Sequence, residues 1–249
     1  MGERNSRNVR RRKRMKQKRQ MWSVVIFLLF CITAAAFMGG FAAGCSWQKK
    51  TGRNGTVQYD SGDEVPDEQW NLLLVNRQNP VPDGYAVNLV EVEGGECVDE
   101  RIYEPLMEML EDAREANWDQ LPRVVSGYRT AERQKQLYDE KLDEYRKQGY
   151  SDEEAKELTS QQVAEPGYSE HQLGCAVDIN GATYDVYFWL QENSYKYGFI
   201  FRYPGYKTEI TGVTEEVWHY RYVGVETAAE MYEQGICLEE YAERMEMTK

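Results

Sequence analysis

Histidine is almost absent from this chain: His171 and His219 are the whole supply in 249 residues. Cysteine is sparse as well. Cys31 and Cys45 sit in or beside an apolar run, and Cys97, Cys175 and Cys237 are too few and too scattered for a disulfide framework. Basic charge is scarce beyond residue 45, where 41 acids face 20 bases for a net charge of −21. Such a surface excludes recruitment of nucleic acid or anionic lipid through general electrostatics. Its acidity reads as a solvated exterior with no specific partner. No internal repeat is present, and nothing in the composition fixes an oligomeric state.

Charge of either sign is missing from Met21 to Gly44, and the 20 residues before that run hold ten Lys or Arg against Glu3 alone. An apolar stretch of this length can cross the ~30 Å hydrocarbon core at about 1.5 Å per residue. The basic excess predicts a cytoplasmic N-terminus, with the bulk of the chain outside the cell membrane. Cleaved signal peptides have a shorter apolar region, about 7–15 residues. Ala42-Ala43-Gly44-Cys45 also resembles a lipoprotein processing site, with Ala42 where leucine is typical. The reading favoured is a single uncleaved anchor: basic tail 1–20, transmembrane segment 21–44, polar stalk 45–69, and one domain over 70–249.

Each histidine stands near a carboxylate in a segment otherwise rich in strand formers. His171 precedes Asp178 by seven residues, and Glu216 precedes His219 by three. Taken singly, a histidine is more often a packed or exposed residue than a ligand. Together, His171, Asp178 and His219 read as three zinc ligands, with a fourth position left for water as in catalytic rather than structural sites. Glu216 would stand beside the metal without binding it, as a general base. Cys175, between His171 and Asp178, is either a soft competing ligand or a buried thiol; its apolar neighbours favour the thiol.

Four blocks in order carry a wider likeness: Ser126-Gly127-Tyr128-Arg129-Thr130 with Gln134; Pro166-Gly167-Tyr168-Ser169-Glu170-His171; Ala176-Val177-Asp178-Ile179; and Glu216-Val217-Trp218-His219-Tyr220-Arg221-Tyr222-Val223-Gly224. In them the chain resembles the VanY-type D-alanyl-D-alanine carboxypeptidases, zinc peptidases of bacterial cell-wall metabolism. Val217 departs from a frequent proline and Cys175 from a usual aliphatic residue. The resemblance implies Zn2+ on His171, Asp178 and His219, Glu216 as general base, and Arg129 on the substrate carboxylate. Ser126, Gln134 and Ser169 are further candidates for binding or orienting the substrate, a peptidoglycan stem peptide. An L,D-carboxypeptidase, a cross-link endopeptidase and a catalytically silent stem-peptide binder are the alternatives.

The coarse pattern agrees with a small α+β zinc-peptidase domain. Strands are expected at Leu72–Val75, Ala86–Val92, Arg123–Val125 and Phe199–Tyr203. Ile102, Leu106, Met109, Leu110 and Ala113 recur at helical spacing and predict a helix over 102–116. Further helices are expected at 131–147, after the capping box Ser151/Glu154, at 183–197 with Gly198 as its cap, and near 226–234 and 238–247. The odd spacing of His171 and Asp178 places His171 before the strand that carries Asp178. Glu216 is expected at a bend or bulge before the strand of His219. Without βαβ alternation, the sheet should be antiparallel.

Overall fold

The computed structural model describes residues 56–57, 70–117, 122–181 and 183–247. The basic tail and the apolar run 21–44 lie outside them; among the described residues no helix is long and apolar enough to cross a membrane.

Two antiparallel sheets and seven α-helices make up the described chain. The first sheet joins β1 (Thr56–Val57), β2 (Val87–Glu91) and β3 (Cys97–Asp99) in that order. A short helical turn capped by the Asp99 side chain leads into α1 (Tyr103–Ala116). Then follow β4 (Arg123–Ser126), α2 (Ala131–Lys147), α3 (Asp152–Ser160), β5 (Ala176–Asn180), α4 (Tyr184–Asn193), β6 (Phe199–Phe201), α5 (Thr208–Thr211), β7 (His219–Tyr222), α6 (Val225–Gln234) and α7 (Leu238–Met247). The second sheet runs β4-β5-β7-β6, antiparallel throughout.

Side chains alternate across a strand, so one face of this second sheet can be apolar and the other polar. Val124, Val177, Ile179, Phe199 and Tyr220 share the apolar face and pack with Leu106, Met109 and Ala113 of α1 and Val186 and Leu190 of α4. The four-residue spacing that predicted α1 is the spacing that buries Ile102 and Leu106 at 0% exposure. Truncating a side chain there, as in Leu106→Ala, is expected to cost about 2–5 kcal/mol. Asp178 and His219 face the other way, as does Arg221 opposite Ala176.

A β-bulge fixes which residue of β4 meets that polar face. Val124 pairs with Ile179 and Ser126 pairs with Asp178, so Val125 is the extra residue and turns outward. Ser126, Asp178 and His219 therefore lie on one rung across three strands.

Helix caps follow the sequence closely. Thr130 caps α2 by accepting from the backbone N–H of Arg133, and Ser151 with Glu154 forms the expected capping box of α3. Four expectations change. Leu72–Val75 is not a strand: Leu72 closes a short helical turn over Trp70–Leu72, and the carbonyls of Asn71 and Leu73 accept from the Arg221 guanidinium at 3.1 and 3.0 Å instead of from a neighbouring strand. Residues 183–197 split into α4 and a tighter turn at Ser194–Tyr197, ended by Gly198 at φ 85°. β6 stops at Phe201, since Arg202 turns into a buried ion-pair cluster. Within the stretch read as a stalk, Thr56–Val57 pairs with Val87 and Asn88. Cys175 and Cys237 are buried free thiols, and Cys97 is buried at the start of β3.

Candidate metal centre and active site

The polar rung of the second sheet supplies two of the three proposed ligands. Asp178 of β5 and His219 of β7 are register partners, with Asp178 Oδ1 2.9 Å from His219 Nδ1. His171 arrives from the helical turn Glu170–Leu173 just before β5, as its odd spacing required, and its Nε2 lies 3.4 Å from the same oxygen. All three residues are buried. The turn ends on Gly174 at φ 73°, where a Cβ would stand 2.9 Å from Val87, so the left-handed backbone and the close approach both require glycine.

The donor set fits zinc. Four-coordinate ligands at about 2.0–2.1 Å stand about 3.3 Å from one another, and the distances from Asp178 Oδ1 to the two rings, 2.9 and 3.4 Å, straddle that value. The far nitrogen of each ring is also engaged, which selects the tautomer. His171 Nδ1 donates to the Gly127 carbonyl at 2.7 Å, leaving the Nε2 lone pair for the metal. His219 Nε2 faces Glu170 Oε2 at 3.4 Å, leaving Nδ1.

Gly127 can play this part because its backbone is pressed against β3. A Cβ on it would stand 2.2 Å from the Cys97 carbonyl oxygen. Its N–H donates to Glu96 at 2.9 Å, and the next residue, Tyr128, donates its N–H to Cys97 O at 2.6 Å.

Glu216 sits beside the ligands and outside the set. Its Oε2 is 3.7 Å from His219 Nδ1. Of the bend or bulge expected before β7, the structure has a bend: a turn over 217–218, closed by the His219 N–H donating to Glu216 O at 3.1 Å.

Arg129 lies on the other side of Asp178. Its Nη2 donates to Asp178 Oδ2 at 2.7 Å, its Nε to Ser126 Oγ at 2.8 Å, and its Nη1 faces Gln134 Oε1 at 3.4 Å. Gln134 is 1% exposed and spends its amide on the Ala164 carbonyl, so it stands behind Arg129 rather than toward solvent. Ser126 likewise holds the guanidinium. Ser169 is buried at the start of the turn that carries His171, and its carbonyl accepts from Gln172. The structure thus brings Glu216 and Arg129, with Ser126 and Gln134 behind it, around His171, Asp178 and His219, and ties Arg129 to the second oxygen of Asp178. Cys175 is fully buried in the apolar core, and burial pushes its thiol up to about 11, the behaviour of an inert thiol rather than a ligand.

The protein's own charges set the ionisation. Burial and the Arg129 charge push His171 down to about 4, with Asp178 acting the other way. Burial lowers His219 too, but hydrogen bonds to Asp178 and Glu170 outweigh it and hold the ring up to about 9. Against burial, His171, His219 and Arg129 keep Asp178 well below the usual carboxylate range. Burial pushes Glu216 up to about 7.

Sequence reasoning passed over Glu170, Arg202 and Arg221. Glu170 is 2% exposed and holds Arg202 Nε at 2.8 Å; both arginines are fully buried. The one available pointer was Glu170's place beside His171. Arg202 carries none.

A three-donor His–Asp–His centre on an antiparallel sheet, with a carboxylate beside it and a guanidinium opposite, defines a zinc metallopeptidase of the small α+β type. The VanY family profile, described as D-alanyl-D-alanine carboxypeptidase, matches residues 95–225, and the chain belongs to this family. A D-alanyl-D-alanine carboxypeptidase of Enterococcus faecalis is 52% identical over 187 residues, covering 73% of this chain and 68% of that protein. A crystal structure of a mutant vancomycin-resistance D,D-pentapeptidase VanY, from a VanB-type cassette and in complex with Zn(II), superposes with a TM-score of 0.66 at 52% identity. It covers 70% of this chain and 99% of that one. The LdcB LD-carboxypeptidase is more distant: TM-score 0.59, 31% identity, 73% of this chain and 92% of that one.

Proposed function

We propose that the protein is a D-alanyl-D-alanine carboxypeptidase that removes the C-terminal D-Ala from peptidoglycan stem peptides, with zinc held by His171, Asp178 and His219. The observation that carries this reading is the convergence of Glu216 and Arg129 on the buried ligand cluster, 3.7 Å from His219 and 2.7 Å from Asp178. A zinc ion there supplies Lewis acidity, polarising the scissile carbonyl and lowering the pKa of a water.

Glu216 is the group placed to move protons. The water oxygen adds to the carbonyl carbon as Glu216 takes its proton; the C–N bond then breaks and Glu216 returns the proton to the departing amine of D-Ala. Burial pushes its carboxyl up to about 7, and a dication bound beside it would favour the ionised form a base requires.

Arg129 binds the terminal carboxylate. Its three hydrogen bonds to Ser126, Gln134 and Asp178 use three of five N–H donors and fix the guanidinium plane. Two donors remain for a carboxylate, which suits a guanidinium better than an ammonium. Ser126 and Gln134 act through Arg129, and Ser169 orients the turn that presents His171.

The D,D reading is favoured over the L,D one by 52% against 31% identity to the respective relatives. Rates on a pentapeptide ending in D-Ala-D-Ala and on a tetrapeptide whose lone D-Ala follows an L-centre separate the two. Preference for the tetrapeptide would reverse the assignment. A silent binding module has no use for Glu216, and an endopeptidase has no use for a carboxylate reader.

We propose further that residues 21–44 anchor the enzyme in the cell membrane, with residues 1–20 in the cytoplasm and the catalytic domain outside. Uncharged residues flanked by ten bases support this topology. N-terminal sequencing of membrane-extracted protein should find the start intact; a lipid-modified start at Cys45 would contradict the spanning helix.

A further inference from the structure

Behind His219 lies an unbroken line of buried charges. Its Nε2 faces Glu170 Oε2 at 3.4 Å. Glu170 Oε1 accepts from Arg202 Nε at 2.8 Å and stands 3.2 Å from Arg221 Nη1 as an ion pair. Arg202 is clamped from its far side by Glu239 of α7, whose two oxygens accept from Nη1 at 2.8 Å and Nη2 at 2.7 Å. The exposures are 0% for both arginines, 2% for Glu170 and 7% for Glu239.

Removing four ionised groups from water is costly, and buried pairs of this kind often contribute little net stability compared with apolar packing. What they do supply is orientation. A guanidinium gripped by one carboxylate through two parallel bonds cannot turn, and it presents its remaining Nε–H to Glu170 along one direction. Glu170, held by Arg202 and flanked by Arg221, then offers a fixed acceptor to the His219 ring. Carboxylates behind ligating histidines set ring orientation and tautomer.

We propose that the line Glu239–Arg202–Glu170 positions His219 for the metal, keeping its proton on Nε2 and its Nδ1 lone pair toward Asp178 and His171. Glu170, Arg202 and Glu239 are positioning residues, not catalytic ones. The consequence concerns helix α7. The family profile ends at residue 225, so a carboxylate from beyond it completes a centre whose ligands all lie within it. This inference rests on the zinc reading above.

The test is a zinc-affinity series on the full chain, by competition with a chromophoric chelator. Glu170→Gln should bind zinc about 10- to 100-fold more weakly, the usual loss for a carboxylate behind a ligand. Glu239→Gln acts through two further contacts and should lose about 3- to 10-fold. The double variant should be no weaker than Glu170→Gln alone, as expected of groups in one line. Glu240→Gln is the control for docking of α7: Glu240 bonds Lys207 and the Cys237 N–H, not Arg202. It should shift the melting temperature while leaving zinc affinity unchanged. Unaltered zinc affinity in Glu239→Gln would overturn the proposal, as would equal losses in Glu239→Gln and Glu240→Gln, or additive losses in the double variant. A wild type that binds no zinc would remove the zinc reading itself. Nitrogen-15 NMR of the zinc-loaded wild type needs no variant: the proton of His219 should reside on Nε2, and finding it on Nδ1 contradicts the proposal.

Discussion

Asp178 and His219 are register partners on adjacent antiparallel strands, and the carboxylate of the first lies 2.9 Å from the Nδ1 of the second. The sheet's hydrogen bonds thereby set the spacing of two of the three proposed ligands, and only His171 has to be delivered by a turn. A centre built on two strands is more rigid than one built on loops.

That rung predicts the response to ligand loss. Purified protein should carry about one zinc per chain. His219→Ala should abolish tight binding, as read by metal analysis after dialysis against a chelator. Zinc retained at wild-type levels in this variant would remove His219 from the ligand set.

Glu216→Gln should keep its zinc, because Glu216 stands 3.7 Å from the ligand nitrogen and outside the set. Its turnover should fall about 10²- to 10⁴-fold for want of a general base. Steady-state rates beside a metal assay check both halves, and full activity would contradict the role.

Arg129→Ala should be about 10- to 150-fold slower in kcat/KM on a free-acid peptide, the equivalent of one hydrogen bond to a charged group at ~1.5–3 kcal/mol. Part of that loss comes through Asp178, to which Arg129 is bonded. Amidating the peptide C-terminus separates the two contributions: wild type should slow sharply, the variant hardly at all. Equal rates on acid and amide in the wild type would favour an endopeptidase.

Gly127→Ala brings a Cβ to 2.2 Å from the Cys97 carbonyl and displaces the carbonyl that holds His171. Overpacking of this kind costs about 1–3 kcal/mol. Melting temperature and zinc affinity should fall together; a variant that melts early but binds zinc normally would show that Gly127 does not set the His171 ring.

Acid should weaken the fold through Glu239. Burial raises its pKa, yet the Arg202 charge and hydrogen bonds outweigh burial and hold it below 4.5. A carboxyl whose pKa is lower folded than unfolded contributes its full stability above the unfolded value and loses it as pH falls through the folded one. The wild type should therefore lose melting temperature below pH 4.5 more steeply than Glu239→Gln. Parallel curves would show that this pair contributes no pH dependence.

Local rules carried most of the fold. Helix α2 spans the 131–147 expected of it, and α3 carries the capping box read from Ser151 and Glu154. Both are decided within a few residues. Non-local choices were illegible. The bend before His219 was legible, but the bulge at Val125 was not, because pairing with Asp178 and not local sequence decides where β4 slips. Leu73 lost its expected strand to a guanidinium 148 residues away. In the site, the candidate metal cluster His171, Asp178 and His219 was legible because histidine is so scarce that two of them narrow the choice. Arg202 and Glu239, 37 residues apart, carry no such mark among many charged residues, and only the fold brings them together.

The most direct test is mass spectrometry of a stem pentapeptide ending in D-Ala-D-Ala, incubated with the zinc-loaded full chain and, in parallel, with Glu216→Gln. The wild type should release a single D-Ala and stop at the tetrapeptide, and the variant should leave the pentapeptide essentially intact over the same interval. An intact pentapeptide with zinc-loaded wild type, or release of a dipeptide or of internal fragments, would contradict a zinc carboxypeptidase built on His171, Asp178 and His219.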